Sequence, residues 1–129
     1  MEIQSLLEEI RKVLDEGRTV TIVRTQIPGK TNYTILVDER KVFSRDFYPS
    51  KDVDEAFSEV KLQLYKMLHD QALQLLDHVD TCYDMDGNVL LVTESGRVYR
   101  VVFRKCTESY DHEKRQTVTT YIFHKPIIQ

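Results

Sequence analysis

Two stretches of the chain hold the residue types that metal chemistry uses. "CYDMDGNVLL", residues 82–91, sets Asp84 and Asp86 around a methionine just ahead of Gly87. "DERK", residues 38–41, places Asp38 and Glu39 beside Lys41, the acid-and-lysine set that metal-dependent nucleases use. Carboxylate oxygens of this kind bind hard cations. Together they define one chemical hypothesis, a metal-dependent hydrolase at Asp38, Glu39, Lys41, Asp84 and Asp86. Register speaks against it. A calcium loop of the EF-hand type needs ligands at positions 1, 3 and 5, Gly at 6 and Glu at 12. Counting from Asp84, Gly87 falls at position 4 and Ser95 at 12. The flanks are strand-like, so Asp86-Gly87 reads as a two-residue hairpin turn with positive φ at both residues. "DERK" reads as a polar turn, without the separate upstream carboxylate that a nuclease site requires.

The other ligands and nucleophiles are scattered. His69, His78, His112 and His124 include no pair at i, i+3 or i, i+4, so no local metal pair exists. Cys82 and Cys106 lie in different predicted elements. Their spacing leaves open whether they pair; the simpler reading is two thiols in a reducing compartment. Neither has a local context that lowers a thiol pKa. The chain has only four glycines and no Gly-rich phosphate loop. The expectation is a protein that is not an enzyme, with no cofactor and no metal.

The elements that would carry any site follow from periodicity. Ile3, Leu6, Leu7, Ile10, Val13 and Leu14 fall on one helical face, and Gly17 is the natural stop. "TVTIVRT", "NYTILV" and "VFSRDFY" read as three strands, the first two joined by Pro28-Gly29. Asp52 followed by Glu55 predicts the start of a second helix. Run to about Asp77, that helix is roughly 38 Å long at the rise of an α-helix. Then come "TCY", "VLLVT", "VYRVVFRK" and "TVTTYIFH", with "CTESYDHEK" as a loop before the last and "KPIIQ" as a short tail. The fold class is α+β: a single domain over residues 1–129, an antiparallel sheet with two helices in the order α-β-β-β-α-β-β-β-β. A duplicated helix-plus-meander unit is conceivable from this order, although no residue-level repeat supports it.

Two surfaces stand out as partner sites. The second helix has a main apolar stripe (Val53, Phe57, Val60, Leu64, Met67, Leu68, Leu75, Val79) and, about opposite, a second one at Leu62, Tyr65, His69, Leu73 and Leu76. A helix lying on one sheet needs one apolar face, so the second stripe is assigned to a protein partner, with a homodimer through this helix as the simplest case. In "GRVYRVVFRK", Arg100 and Arg104 are expected on one strand face, flanked by Arg97 and Lys105, while Tyr99 and Phe103 alternate to the other. Such a patch suits nucleic acid or an acidic protein. The net charge of −3 weighs against a dedicated nucleic-acid binder, whose affinity comes largely from phosphate contacts. No apolar run approaches a membrane span, and the N-terminus lacks a signal pattern, so a cytoplasmic protein is expected.

The opening order of a short acidic helix, a three-stranded meander and another helix, on "IQSLLEEI", "TVTIV", "YTILV" and "VFSRDF", resembles one type of small phage-encoded anti-CRISPR inhibitor over at most the first 70 residues. The resemblance implies a compact acidic plug in the host cytoplasm, occupying a nucleic-acid-reading surface of a nuclease. It carries over no individual binding residue, and the chain departs from that pattern in its long second helix and strand-rich C-terminal half. The order is also similar to that of secretion chaperones, which bind effector chains as dimers, but here the chain ends in a predicted strand rather than a helix. The leading functional expectation is therefore a non-enzymatic protein-binding module, a phage or mobile-element inhibitor of a larger defence or nucleic-acid-handling complex. The alternatives are a nucleic-acid-binding domain using the basic strand and a dimeric chaperone or adaptor.

Overall fold

In the computed structural model, which describes residues 3–129, the amphipathic N-terminal stretch forms α1 (Ile3–Asp15). Leu6, Leu7, Ile10 and Leu14 are buried; the side chain of Ile3, the first residue of the expected stripe, lies outside the described ones. α1 stops at the expected glycine. Gly17 adopts φ +81°, its N–H donates to the Leu14 carbonyl at 2.9 Å, and the Arg18 N–H donates to the Val13 carbonyl at 3.1 Å. These paired bonds satisfy carbonyls that a helix end otherwise leaves open.

Three strands follow: β1 (Val20–Ile27), β2 (Lys30–Val37) and β3 (Arg40–Phe47). Alternation along β2 is strict, with Thr31, Tyr33, Ile35 and Val37 buried. Asp38 and Glu39 join β2 to β3 with φ +50° and +68°, the mirror-image turn that matches the twist of hairpin strands. Asp38 is held there: its carboxylate accepts from Arg18 Nε at 2.8 Å and from the Thr19 N–H at 2.9 Å.

α2 (Lys51–Leu73) begins at Ser50, whose hydroxyl accepts from the Val53 N–H at 3.4 Å; the cap is this serine rather than the expected Asp52–Glu55 pair. The helix also ends sooner than Asp77. Its last bonds tighten, with Gln74 N–H donating to the Gln71 carbonyl, because the chain must turn into an edge strand: the Val79 N–H already pairs with Val92. β4 (Asp80–Tyr83), β5 (Val89–Val92), β6 (Val98–Asp111) and β7 (Gln116–Ile128) complete the fold. No helix among the described residues is long and apolar enough to cross a membrane.

All seven strands form one antiparallel sheet in the order β3-β2-β1-β7-β6-β5-β4. The α+β class and the element order read from the sequence hold. The two halves are not the same unit, however. After α1 the chain enters the sheet at its centre and moves outward; after α2 it enters at the opposite edge and moves inward to close β7 against β1. Topology therefore removes the duplication idea.

Both helices pack on one sheet face, around Val20, Ile22, Tyr33, Ile35, Phe57, Leu64, Leu68, Leu91, Val101 and Phe103. α2 crosses this face. Near its start Phe57 stacks on Tyr33, with ring centroids 3.9 Å apart and planes 2° apart, and meets Phe43 and Phe47 of β3. Further along, Tyr65 meets Phe103 of β6 and His69 meets Tyr83 of β4. The opposite sheet face, with Val23, Leu36, Thr120 and Ile122, has no helix on it.

The five-residue connection Asp84–Asn88 corrects the two-residue turn. The Gly87 N–H donates to the Asp84 carbonyl at 3.0 Å and the Asp84 N–H to the Asn88 carbonyl at 3.1 Å, and only Gly87 has positive φ, at +80°. This is a three-residue loop ending in a glycine bulge. A Cβ built on Gly87 would stand 2.9 Å from Arg104 Nη2. Gly87→Ala is thus expected to cost about 1 kcal/mol through the strained backbone, and to push the Arg104 guanidinium aside. Thermal denaturation measures the first effect, and the chemical shift of the Arg104 side chain the second.

Candidate functional site

The two expected metal clusters do not meet. The Asp38 turn joins β2 to β3 at one side of the sheet, and the Asp84 loop joins β4 to β5 at the other. Four strand spacings separate β2 from β5, about 19 Å. Asp84 is also fully engaged. Its carboxylate accepts from the N–H groups of Asp86 and Asn88 at 2.9 and 2.8 Å and from Asn88 Nδ2 at 3.1 Å. Those bonds, the Asn88 N–H first, hold its carboxyl below the usual range. Among the described residues no group of three His, Cys, Asp or Glu side chains could hold a metal. Cys82 and Cys106 are exposed, unpaired thiols, on opposite sheet faces by register: Cys82 pairs with Leu90 on the open face and Cys106 with Tyr121 on the helix face.

The second stripe of α2 is not a free apolar face. Tyr65, Leu73 and Leu76 pack against the core, because the β4–β6 half of the sheet covers that flank of the helix. His69 Nε2 and the Tyr83 hydroxyl share a hydrogen bond of 2.7 Å. Of the five residues, only Leu62 remains exposed, at 44%. The flank expected to meet another chain is largely satisfied within this one.

The basic strand is divided as well. A bulge between Val102 and Arg104 shifts the alternation by one residue. Arg100 stays on the open face, where it donates to Gln129 Oε1 at 2.9 Å and stands 4.0 Å from Asp84 Oδ2. Arg97 donates to the Tyr99 hydroxyl at 3.3 Å. Lys105 pairs in register with Ile122, on the open side. Arg104 is brought to the helix side, its Cζ 4.8 Å from the centre of the Tyr65 ring.

The bulge thus brings residues of both expected surfaces together. Leu62 and Tyr65 of the helix stripe and Arg104 and Lys105 of the basic strand line the same cavity, of about 390 Å³, with Lys61, Cys106, Tyr121 and Phe123. Lys61, one turn before Tyr65 on the same flank of α2, lies with Nζ 3.8 Å from the centre of the Tyr121 ring. No carboxylate lines this cavity. Lys61 and Tyr121 also border a second, polar cavity of about 540 Å³, between Ser58 of α2 and Gln26, Glu108, Thr117 and Thr119 of the sheet. The two form one groove, walled by α2 and floored by β1, β7 and β6. It is open because β6 and β7 run beyond the helix; residues 106–111 are exposed on both faces of β6.

The polar end is fixed by a triad. Tyr33 donates its hydroxyl proton to Asp54 Oδ1, and Arg24 donates to the same oxygen at 3.2 Å and to Oδ2 at 3.3 Å. Burial pushes the Asp54 carboxyl up, but the bonds from Tyr33 and Arg24 outweigh it and leave the group below its ordinary value. Burial and then the Asp54 bond push Tyr33 up to about 12. Because the Asp54 pKa is lower folded than unfolded, its stabilisation is complete above about pH 4 and is lost as pH falls below that value. Asp54→Asn is expected to start with lower stability at pH 7 and to show a flatter acid limb; denaturant midpoints between pH 7 and pH 3 measure it.

No known protein family, curated protein or solved structure matches this chain. Reading the sequence missed Lys61, Tyr121, Arg24, Asp54 and Tyr33. The spacing of Lys61 from Tyr65 and His69 was a usable signal, since all three fall on one helical flank. Tyr121 carried none, because its position beside α2 depends on which strands pair.

Proposed function

We propose that the protein is a non-catalytic binding module whose working surface is the groove between α2 and the projecting β6–β7 hairpin. It acts by holding part of a larger protein, as an inhibitor or adaptor does. The observation that carries this reading is the cavity with Lys61 and Arg104 resting on the tyrosine rings and no carboxylate in its lining. Cations placed this way keep their charge directed at the cavity, and the rings hold them at little entropic cost. Leu62, Phe123 and the two tyrosines give the cavity an apolar lining beside these cations, and buried aromatic and basic anchors dominate most protein interfaces. The nature of the partner, a larger defence or nucleic-acid-handling complex in the host cytoplasm, rests on the resemblance of the N-terminal half to anti-CRISPR inhibitors.

An affinity capture from source-cell extract, run with and without nuclease, tests the reading. A stoichiometric protein that survives nuclease treatment, and is lost with Lys61→Glu or Arg104→Glu, is the expected result. Capture that disappears with nuclease treatment would instead assign the groove to nucleic acid.

A further inference from the structure

Resting on that reading, we infer that the groove takes an extended peptide segment in which an acidic side chain stands two residues from an aliphatic one, so that both point to the same face. The acidic group enters the cavity between Lys61 and Arg104, and the aliphatic group lies on Leu62 and the Phe123 floor. The flanking backbone continues along β7 toward the polar end.

Charge complementarity selects the anion. The cavity is lined by the cations Lys61, Arg104 and Lys105 and by no acid, in a chain whose net charge is −3. A lone carboxylate is thus attracted locally, whereas a long polyanion is repelled by the molecule as a whole. The rest of the lining selects the neighbour: Leu62 is exposed, and covering it removes apolar surface from water. The polar end suits a peptide backbone, since Ser58, Gln26, Thr117 and Thr119 present hydroxyl and amide groups. From Phe123 to Thr117 the floor runs about 20 Å at the rise of a strand, the length of about six extended residues.

A nucleic acid fits less well. Single strands bind such surfaces by stacking bases on open aromatic faces, and the Tyr65 and Tyr121 rings each already carry a cation, Arg104 and Lys61. Glu108 at the polar end opposes a continuing run of phosphates but tolerates a peptide with spaced charges.

The test uses a fluorescent peptide repeating Glu-Ser-Leu-Ser, the same peptide with Gln for Glu, and oligothymidine, each titrated into the full chain by anisotropy. The Glu peptide is expected to bind at least about tenfold more tightly than the Gln peptide, and Lys61→Glu or Arg104→Glu each to weaken it about tenfold. Affinity should fall with added salt. Equal binding of the Glu and Gln peptides, or indifference to both substitutions, overturns the inference. So does oligothymidine binding more tightly than the peptide and being released by the same variants. Competition separates this inference from the reading beneath it. A captured partner that depends on Lys61 and Arg104 but is not displaced by the Glu peptide rejects the acidic segment and leaves the groove. A partner indifferent to both cations rejects the groove itself.

Discussion

Reversing the two ring-bound groove cations, Lys61→Glu with Arg104→Glu, is expected to abolish partner capture while leaving the fold intact. Two unit charges 4 Å apart interact by about 1 kcal/mol in bulk water and about 4 kcal/mol near a protein surface. Turning attraction into repulsion at two such positions therefore costs at least about 2.7 kcal/mol of binding, a hundredfold loss. The folded state loses less. Each cation–ring contact at a partly exposed site contributes about 0.5–1 kcal/mol, against about 5–15 kcal/mol for a domain of ordinary stability. Calorimetric titration with the purified partner should show the loss of affinity, and circular dichroism a melting temperature lowered by only a few degrees. Undiminished affinity in the double variant would remove the groove as the working surface.

The largest expected effect on stability is at Phe57, near the start of α2. Its ring is 1% exposed and meets three aromatic rings, stacked on Tyr33 and inclined to Phe43 and Phe47. This contact anchors the helix over β2 and β3, and Tyr33 in turn holds Asp54 at the polar end of the groove. Phe57→Ala removes the transfer energy of the ring and leaves a cavity that its neighbours only partly fill, at a cost of about 3–5 kcal/mol. The melting temperature should fall by more than about 10 °C, and partner binding should weaken with it as the wall of the groove loosens. Phe47→Ala, at a partly buried position on the edge strand, serves as the comparison and should cost roughly half as much. Equal melting temperatures for Phe57→Ala and the native chain would contradict the placement of α2.

Local features were legible in the sequence. The stripe from Leu6 to Leu14 and the glycine after it described α1, and the alternation in "NYTILV" described β2, because helix and strand periods are set by neighbours a few residues away. What escaped was non-local or depended on wetness. "CTESYDHEK" read as a loop, yet most of it is the outer part of β6; where the hairpin runs past the helices both strand faces meet water, and the alternation that marks a strand disappears. The bulge at Val102 and Arg104 had no glycine or proline on β6 to signal it, and Pro126, which lies across from it on β7, read as part of a tail, so Arg104 was placed on the wrong face. Tyr65, His69, Leu73 and Leu76 looked like surplus apolar surface because nothing local shows that β4–β6 returns beneath the end of α2. Only the closure of β7 against β1 brings Tyr121 to Lys61.

The two exposed thiols offer the most direct measurement. Cys106 lines the groove, and Cys82 lies on the opposite sheet face, so each reports one surface of the same molecule. Alkylation of both can be followed by mass spectrometry in the isolated chain and in its complex with the captured partner. If the groove is the working surface, the complex should shield Cys106 strongly and leave Cys82 as reactive as before. Shielding of Cys82 with Cys106 still open would assign the partner to the helix-free sheet face and contradict the groove.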